Sequence, residues 1–278
     1  MTFSIVGQVG DAFGVAVASK FPFVGAVVPA AELGVGAVAT QAMARVAYRE
    51  EALAALRRGA SAAEAVLACI EPDADRDHRQ LGVVGADSEA TYTGIRCLPW
   101  AGGVSGRDAT GGYAIQGNIL TGPEVVAEME RAWLGSAGAG LTDRLCAALL
   151  AGDAAGGDSR GRQGAALYAV RPGAGYDECG VLADVRVDDH PDAPRELARL
   201  LRLNDLMFGA PEDVQPLAGD LAEEVGARLA TLGHEGAVSQ ALAAWASQEN
   251  YETRLSPDGI DSKVLDALRE ATPGSSLQ

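Results

Sequence analysis

Side chains able to do chemistry are concentrated in a few short stretches of this chain. Gln116-Gly117-Asn118 lies between an apolar run and a helix-start signal. Backbone N–H groups there, together with the Asn118 amide, could form an oxyanion hole, and a plain turn with Gly117 at positive φ would read the same way. Gln41 ends another apolar run and is a second amide of this kind. Asp153, Asp158, Arg160 and Arg162 crowd one glycine-rich loop. Guanidinium forks suit bidentate capture of a charged substrate, although charge clusters more often pair internally. Only two of the 22 basic residues are Lys, which singles out Lys20. Ser19-Lys20 closes the strand expected to pair with the first one, so both should lie near Thr2, where Lys20 could hold a substrate carboxylate.

The remaining candidates carry less. His78, in Asp77-His78-Arg79-Gln80, suits general-acid work or a structural hydrogen-bonded role. Asp188-Asp189-His190 offers too few ligands to hold a metal without others, so no metal site is expected. Cys97 is a nucleophile only if a base lies beside it, and buried structural thiols are commoner. Trp100, next to Gly102 and Gly103, suits a pocket wall or core packing. No Walker A loop is present, and no GxGxxG run stands in a strand-to-helix turn, so no cofactor is expected.

These groups need a scaffold of two kinds of element. Residues 3–8 and 13–19 read as strands around a turn at Val9-Gly10-Asp11, and the second is nearly all small or apolar, as suits a strand covered on both faces. Residues 34–40 read as a third strand. Helices follow over 44–58 and 61–70, the latter opened by the capping box Ser61-Ala-Ala-Glu64. Residues 79–84 and 90–96 form a hairpin, a glycine-rich loop spans 97–111, and a strand covers 112–116. A helix begins near Thr121-Gly-Pro123-Glu124, with Pro at its first position, and another covers 141–151. Strands at 165–171 and 181–187 and a helix over 192–208 complete the set. Strand runs alternating with helix pairs predict stacked layers rather than repeated βαβ units. Residues 209–216, with two Pro, one Gly and two acids, read as a linker. Helices are expected over 217–232, 236–248 and 262–271.

Bulk properties limit the partners. The chain has 278 residues and a formal charge of −16. No basic patch is visible, which argues against nucleic acid and against an anionic membrane surface. The four Cys are widely spaced, with no zinc-knuckle pair, and fit reduced thiols. There is no signal-peptide pattern and no run long enough to cross a membrane, so a cytoplasmic location is expected. Layered sandwiches often associate, which makes a homo-oligomer a reasonable expectation.

A set of blocks in order resembles one bacterial family. They are Thr2-Phe-Ser-Ile-Val, Gly14-Val-Ala-Val-Ala-Ser19-Lys20-Phe, Gly34-Val-Gly-Ala-Val-Ala-Thr-Gln41, Asp77-His78-Arg79-Gln80-Leu-Gly-Val-Val, Cys97-Leu-Pro-Trp100-Ala-Gly102 and Tyr113-Ala-Ile-Gln116-Gly117-Asn118. Two more are Gly152-Asp153-Ala-Ala-Gly156-Gly157-Asp158-Ser-Arg160-Gly-Arg162-Gln163 and Asp184-Val-Arg186-Val-Asp188-Asp189-His190-Pro. Over residues 2–208 they are similar to the domain-of-unknown-function 1028 family, which is grouped with the N-terminal-nucleophile (Ntn) hydrolases. The run after Gln163 usually continues with Ser in that family, and here it is Gly164. The tail, from Ala241-Leu-Ala-Ala-Trp245 to Ile260-Asp261-Ser-Lys-Val264-Leu265, resembles a domain family named for peptidoglycan binding.

The resemblance implies an α+β fold: a four-layer αββα sandwich over 1–208, then the linker 209–216 and a small helical domain over 217–278. It implies Thr2 as nucleophile, with the free α-amine as general base once Met1 is removed. Such an amine titrates near pH ~7.7–8.0, and Lys20 would lower that value. Proteasome-type relatives carry a Lys on the third strand, and residues 34–40 contain none. The family is defined without a substrate; from the fold and the position of Thr2, the expected activity is cleavage of a small amide, cyclic amide or peptide-like substrate by Thr2, Lys20 and Asn118. Ser19, Gln41, His78, Gln116, Gly117, Asp158, Arg160 and Arg162 would hold the substrate. The competing reading is a non-catalytic ligand-binding or scaffold protein on the same fold, with a cell-wall fragment as a further candidate partner.

Overall fold

The alternation in Thr2–Val9 (β1) sorts its side chains onto two faces. Phe3 and Ile5 pack among helices, while Val6 joins a second apolar cluster. The computed structural model describes residues 2–273. β1 pairs antiparallel with Ala12–Ser19 (β2), with Phe3 opposite Ala18. A short helix, Val24–Val27 (α1), leads to Pro29–Glu32 (β3) and Gly36–Ala42 (β4). Helices Tyr48–Arg57 (α2) and Ala62–Ile70 (α3) follow. The α3 capping box is formed: Glu64 N donates to Ser61 Oγ at 3.3 Å, and Ser61 N donates to Glu64 Oε2 at 2.8 Å.

Next come Arg79–Gly85 (β5), Glu89–Thr93 (β6), Gly102–Arg107 (β7) and Gly112–Asn118 (β8). Glu124–Gly135 (α4), Leu141–Ala154 (α5), Gly164–Val170 (β9), Val181–Val187 (β10) and Ala193–Phe208 (α6) complete this part. The strands make two antiparallel sheets, one ordered β10-β9-β2-β1-β8-β7 and the other β3-β4-β5-β6.

Three apolar clusters define the layers. α2 and α3 cover one face of the four-stranded sheet through Tyr48, Leu53, Val66, Val38, Leu81 and Val83. The sheets face each other through Val6, Phe13, Val15, Val17, Ala37, Ala39 and Val84. The far face of the six-stranded sheet packs on α4, α5 and α6 through Phe3, Ile115, Met129, Trp133, Leu149 and Leu197. The fold is α+β, layered helices, sheet, sheet, helices.

Several boundaries differ from the sequence expectation. β4 starts at Gly36, because Gly34 sits in a turn at φ 69°. β3 and β7 were not expected at all. Within the predicted loop, Gly102-Gly-Val-Ser-Gly-Arg107 forms an edge strand pairing only with β8. Its signal is hidden because close approach demands glycine: a Cβ on Gly103 would meet the Ile115 carbonyl at 2.6 Å. α2 begins at Tyr48 instead of residue 44.

Packing divides the chain between Leu201 and Arg202, inside α6. The second unit carries Gly219–Thr231 (α7), Val238–Glu249 (α8) and Ser262–Ala271 (α9). Its core is Val225, Leu229, Leu242, Trp245, Ile260, Val264, Leu265 and Leu268. Residues 209–216 carry no helix, and Gln215 forms an isolated bridge with Ile260. Among the described residues no helix is long and apolar enough to cross a membrane.

Candidate functional site

Period-two alternation sends Val6, Ala114, Ala39 and Val84 into the space between the sheets. Further along the same faces, toward the start of β1, the residues turn polar: Thr2 and Ser4 from β1, Gln116 and Asn118 from β8, Gln41 from β4 and Gln80 from β5. All six are buried. Register brings them together, with Thr2 opposite Asn118, Ser4 opposite Gln116 and Gln41 opposite Gln80. Buried amides are costly unless satisfied, and these satisfy one another.

Gln41 Nε2 donates to the Thr2 carbonyl at 3.1 Å, to Gln80 Oε1 at 3.0 Å and toward the Gln116 carbonyl at 3.2 Å. Its Oε1 accepts from Ser4 Oγ at 2.6 Å. Gln116 Nε2 donates to Ser4 Oγ at 2.6 Å, and its Oε1 accepts from Thr91 Oγ1 at 3.2 Å. Gln80 Nε2 reaches the Gly117 carbonyl at 2.6 Å and Thr93 Oγ1 at 3.0 Å. Asn118 Nδ2 donates to Gln80 Oε1 at 2.8 Å and, at 3.5 Å, to the Thr2 carbonyl. The Thr2 carbonyl is thus gripped by two side-chain amides, and Thr2 Oγ1 lies 3.1 Å from Ser19 Oγ.

Two expectations change here. No turn stands at residues 116–118: β8 runs through Asn118, and Gln116 and Gly117 are laddered to β1 on one side and β7 on the other. Their backbone is therefore committed to sheet pairing instead of forming an open N–H cradle. Lys20 also points elsewhere. Its exposed ammonium donates to the Arg162 carbonyl at 3.1 Å, and its backbone N–H donates to Asp158 Oδ2 at 2.7 Å.

The acidic–basic loop folds against the end of β2. Asp158 is buried and accepts from the backbone N–H groups of Lys20 and Arg160 and from Arg160 Nη2 at 3.0 Å. Arg162 Nε donates to buried Asp153 at 2.6 Å. That carboxylate raises the guanidinium pKa, although burial opposes it. A cleft of about 250 Å³ opens here, walled by Phe3, Ala18, Ser19, Asp153, Arg162 and Pro194 among others. Phe3 and Ala18 face the helices, so the cleft and the amide network occupy opposite faces of the six-stranded sheet. They meet at Ser19, which lines the cleft and contacts Thr2.

His78 ends a short 3-10 turn before β5, and among the described residues no hydrogen bond joins its ring to the network. His190 Nδ1 accepts from the Asp192 N–H, and Asp189 accepts from Gln163. The Cys97 thiol donates to the Arg79 carbonyl at 3.4 Å, and burial pushes its pKa up, away from a reactive thiolate. Gln80 and Ser4 were missed as site residues. The available signal was a polar side chain at the inward-facing parity of an otherwise apolar strand.

The chain belongs to the family described as "Family of unknown function (DUF1028)", whose model matches residues 2–197. A second model, "Putative peptidoglycan binding domain", matches residues 207–268. Among solved structures the chain is similar to the crystal structure of a DUF1028 protein from Silicibacter pomeroyi. Identity is 28%, the TM-score is 0.64, and the match covers 80% of this chain and 88% of that one. No curated protein matches.

Proposed function

We propose that this member of the DUF1028 family is an N-terminal-nucleophile amidohydrolase acting through Thr2. The observation that carries the reading is the grip of Gln41 and Asn118 on the Thr2 carbonyl, beside the 3.1 Å approach of Ser19 Oγ to Thr2 Oγ1. A nucleophile whose own amine is the base must have its first residue fixed by its backbone, and this network does so. The Thr2 amine takes the Oγ1 proton as Oγ1 bonds to the substrate carbonyl carbon. The C–N bond then breaks, the leaving nitrogen takes that proton, and an ester remains on Thr2. Water hydrolyses the ester and restores the hydroxyl. Ser19 Oγ is the group placed to hydrogen-bond Oγ1 through both steps.

The test begins with the intact mass of protein expressed without an N-terminal tag. Loss of one methionine leaves Thr2 with a free amine; full retention of Met1 removes the base and ends the proposal. Thr2→Ala should abolish hydrolysis of small amides while the melting temperature stays near wild type. Hydrolysis that survives this substitution is equally fatal.

A second reading, a non-catalytic binding protein, draws on the Lys20 ammonium engaging Arg162 and on Asn118 pointing at Thr2 itself instead of at open space. The match over 207–268 makes a cell-wall fragment its candidate ligand. Retention of the full chain on purified peptidoglycan, with no amide turnover, is the outcome that selects it.

A further inference from the structure

The cleft beside Ser19 supplies no atom to the bonds made and broken, yet one of its walls, Ser19, contacts the Thr2 hydroxyl. At about 250 Å³ it lies below the ~300–1,000 Å³ of drug-sized ligand sites, so its occupant is small. Its walls combine apolar Phe3, Ala18 and Pro194 with charged Asp153, Asp158 and Arg162.

The hydrogen bonds sort these charges. Asp158 is engaged by two backbone N–H groups and by Arg160, whose Nε and Nη2 both turn back to it. Asp153 is 8% exposed at its side chain and takes Arg162 through Nε alone. Asp192 Oδ1 stands 3.8 Å from that same Nε. Among the described residues Arg162 Nη1 and Nη2 make no hydrogen bond, and the side chain is 43% exposed. A buried carboxylate behind Nε fixes the plane of the fork and leaves its outer edge presented to solvent. The Lys20 ammonium, bonded to the Arg162 carbonyl, adds a second cation to the same loop.

We infer that the cleft binds the carboxylate end of a small substrate on the Nη edge of Arg162, with the substrate's apolar body against Phe3, Ala18 and Pro194. As a subsite of the hydrolase it rests on the Thr2 reading, because the scissile carbonyl would then sit past Ser19. A planar monoanion matches two parallel N–H donors. A dianion such as phosphate is opposed by the carboxylates of Asp153 and Asp158 close behind.

Isothermal titration of the Thr2→Ala protein separates binding from turnover. The probes are N-acetyl-L-alanine, N-acetyl-D-alanine, N-acetyl-L-alaninamide, N-acetyl-D-alaninamide and inorganic phosphate. One enantiomer of the acid should bind saturably, with its amide and phosphate at least tenfold weaker. Arg162→Met should lose at least tenfold in affinity for the acid, and Arg162→Lys, which keeps the charge without the fork, should fall between. Equal affinity for acid and amide, phosphate binding as tight as the acid, no saturation by either enantiomer in the tens of millimolar range, or an unchanged Arg162→Met would each overturn the inference. If Arg162→Met does not fold, the acid–amide comparison and Arg162→Lys decide alone. Binding in the Thr2→Ala protein does not depend on hydrolysis, so loss of the Thr2 reading and loss of the cleft reading give different results.

Discussion

On the Thr2 face between the sheets the buried polar groups are neutral: four amides from Gln41, Gln80, Gln116 and Asn118, with the hydroxyls of Thr2, Ser4 and Ser19. In the C-terminal unit the buried polar centre is ionic. Arg254 and Asp261 are 0% exposed at their side chains and pair at 3.1 Å. Arg254 also donates to the carbonyls of Asp205, Leu206 and Ala210, and Asp261 caps α9 by accepting from the N–H groups of Lys263 and Val264. The ionic centre ties loop carbonyls to a helix start, which is a structural task. The amide network ends at the carbonyl of a residue with a nucleophilic side chain and at a hydroxyl that lines a cleft. Amides can hold such a group in place without imposing a charge on it, whereas a buried ion pair would dominate the local field.

The widest separation of the two regions comes from Arg254→Met. It leaves Asp261 buried without its cation and takes the guanidinium donor from the Leu206 and Ala210 carbonyls, while the Asp205 carbonyl keeps the Gly209 N–H. Breaking a buried pair in this way costs about 3–5 kcal/mol. Hydrogen exchange read by mass spectrometry should show at least a hundredfold loss of protection in peptides from α7, α8 and α9, with peptides from β1 and β8 unchanged. A change under tenfold would mean that Arg254 is not what holds the helical unit together.

The amide network is tested by Gly82→Ala. A Cβ there would stand 2.1 Å from Gln116 Oε1, in a region with no slack because Gln116 is fully buried. Overpacking of this kind costs about 1–3 kcal/mol. Exchange should rise in β1, β5 and β8 and not in α7 to α9, and amide turnover should fall with it. Normal melting and normal turnover would show that Gln116 can move without disturbing Thr2.

Much of the scaffold could be read in advance, for identifiable reasons. β1, β2, β9 and β10 carry long apolar or alternating runs, and α3 carries a complete capping box. β7 could not be read, since Gly102, Gly103 and Gly106 provide close approach and no hydrophobic signal. The site was half legible. Gln41, Gln116 and Asn118 stood out as polar residues at the ends of apolar runs, Thr2 came from the family resemblance, and register brings the four together. Gln80, which links Gln41 to Asn118, was passed over because its partners lie 39 and 38 positions away in sequence. The direction of Lys20 depends on a contact 142 positions away in sequence, and that of Arg162 on how the 153–163 loop folds back on Asp153, which no local pattern encodes.

The smallest expected effect, Glu224→Gln, uses the fact that the helical unit holds a strongly lowered carboxyl whereas the amide network is built of amides and hydroxyls. Glu224 receives Arg269 through Nε and Nη2 and Arg228 through Nε, each at 2.9 Å, joining α7 to α9. Arg269 foremost, with help from Arg228 and against a desolvation cost, lowers its carboxyl from 4.5 to about 2. A carboxyl depressed on folding stabilises the native state fully above its unfolded value and loses that contribution as pH falls through the folded value. Wild type and Glu224→Gln should therefore differ most above pH 4.5 and converge toward pH 2. The amide network contains no group that titrates in this window, so Gln80→Met should shift the midpoint by the same amount across it. Urea-unfolding midpoints at several pH values give both slopes. A Glu224→Gln offset that is flat with pH would place the acid sensitivity elsewhere, with Asp73 and Asp108, whose carboxyls are also held low, as the next groups to examine.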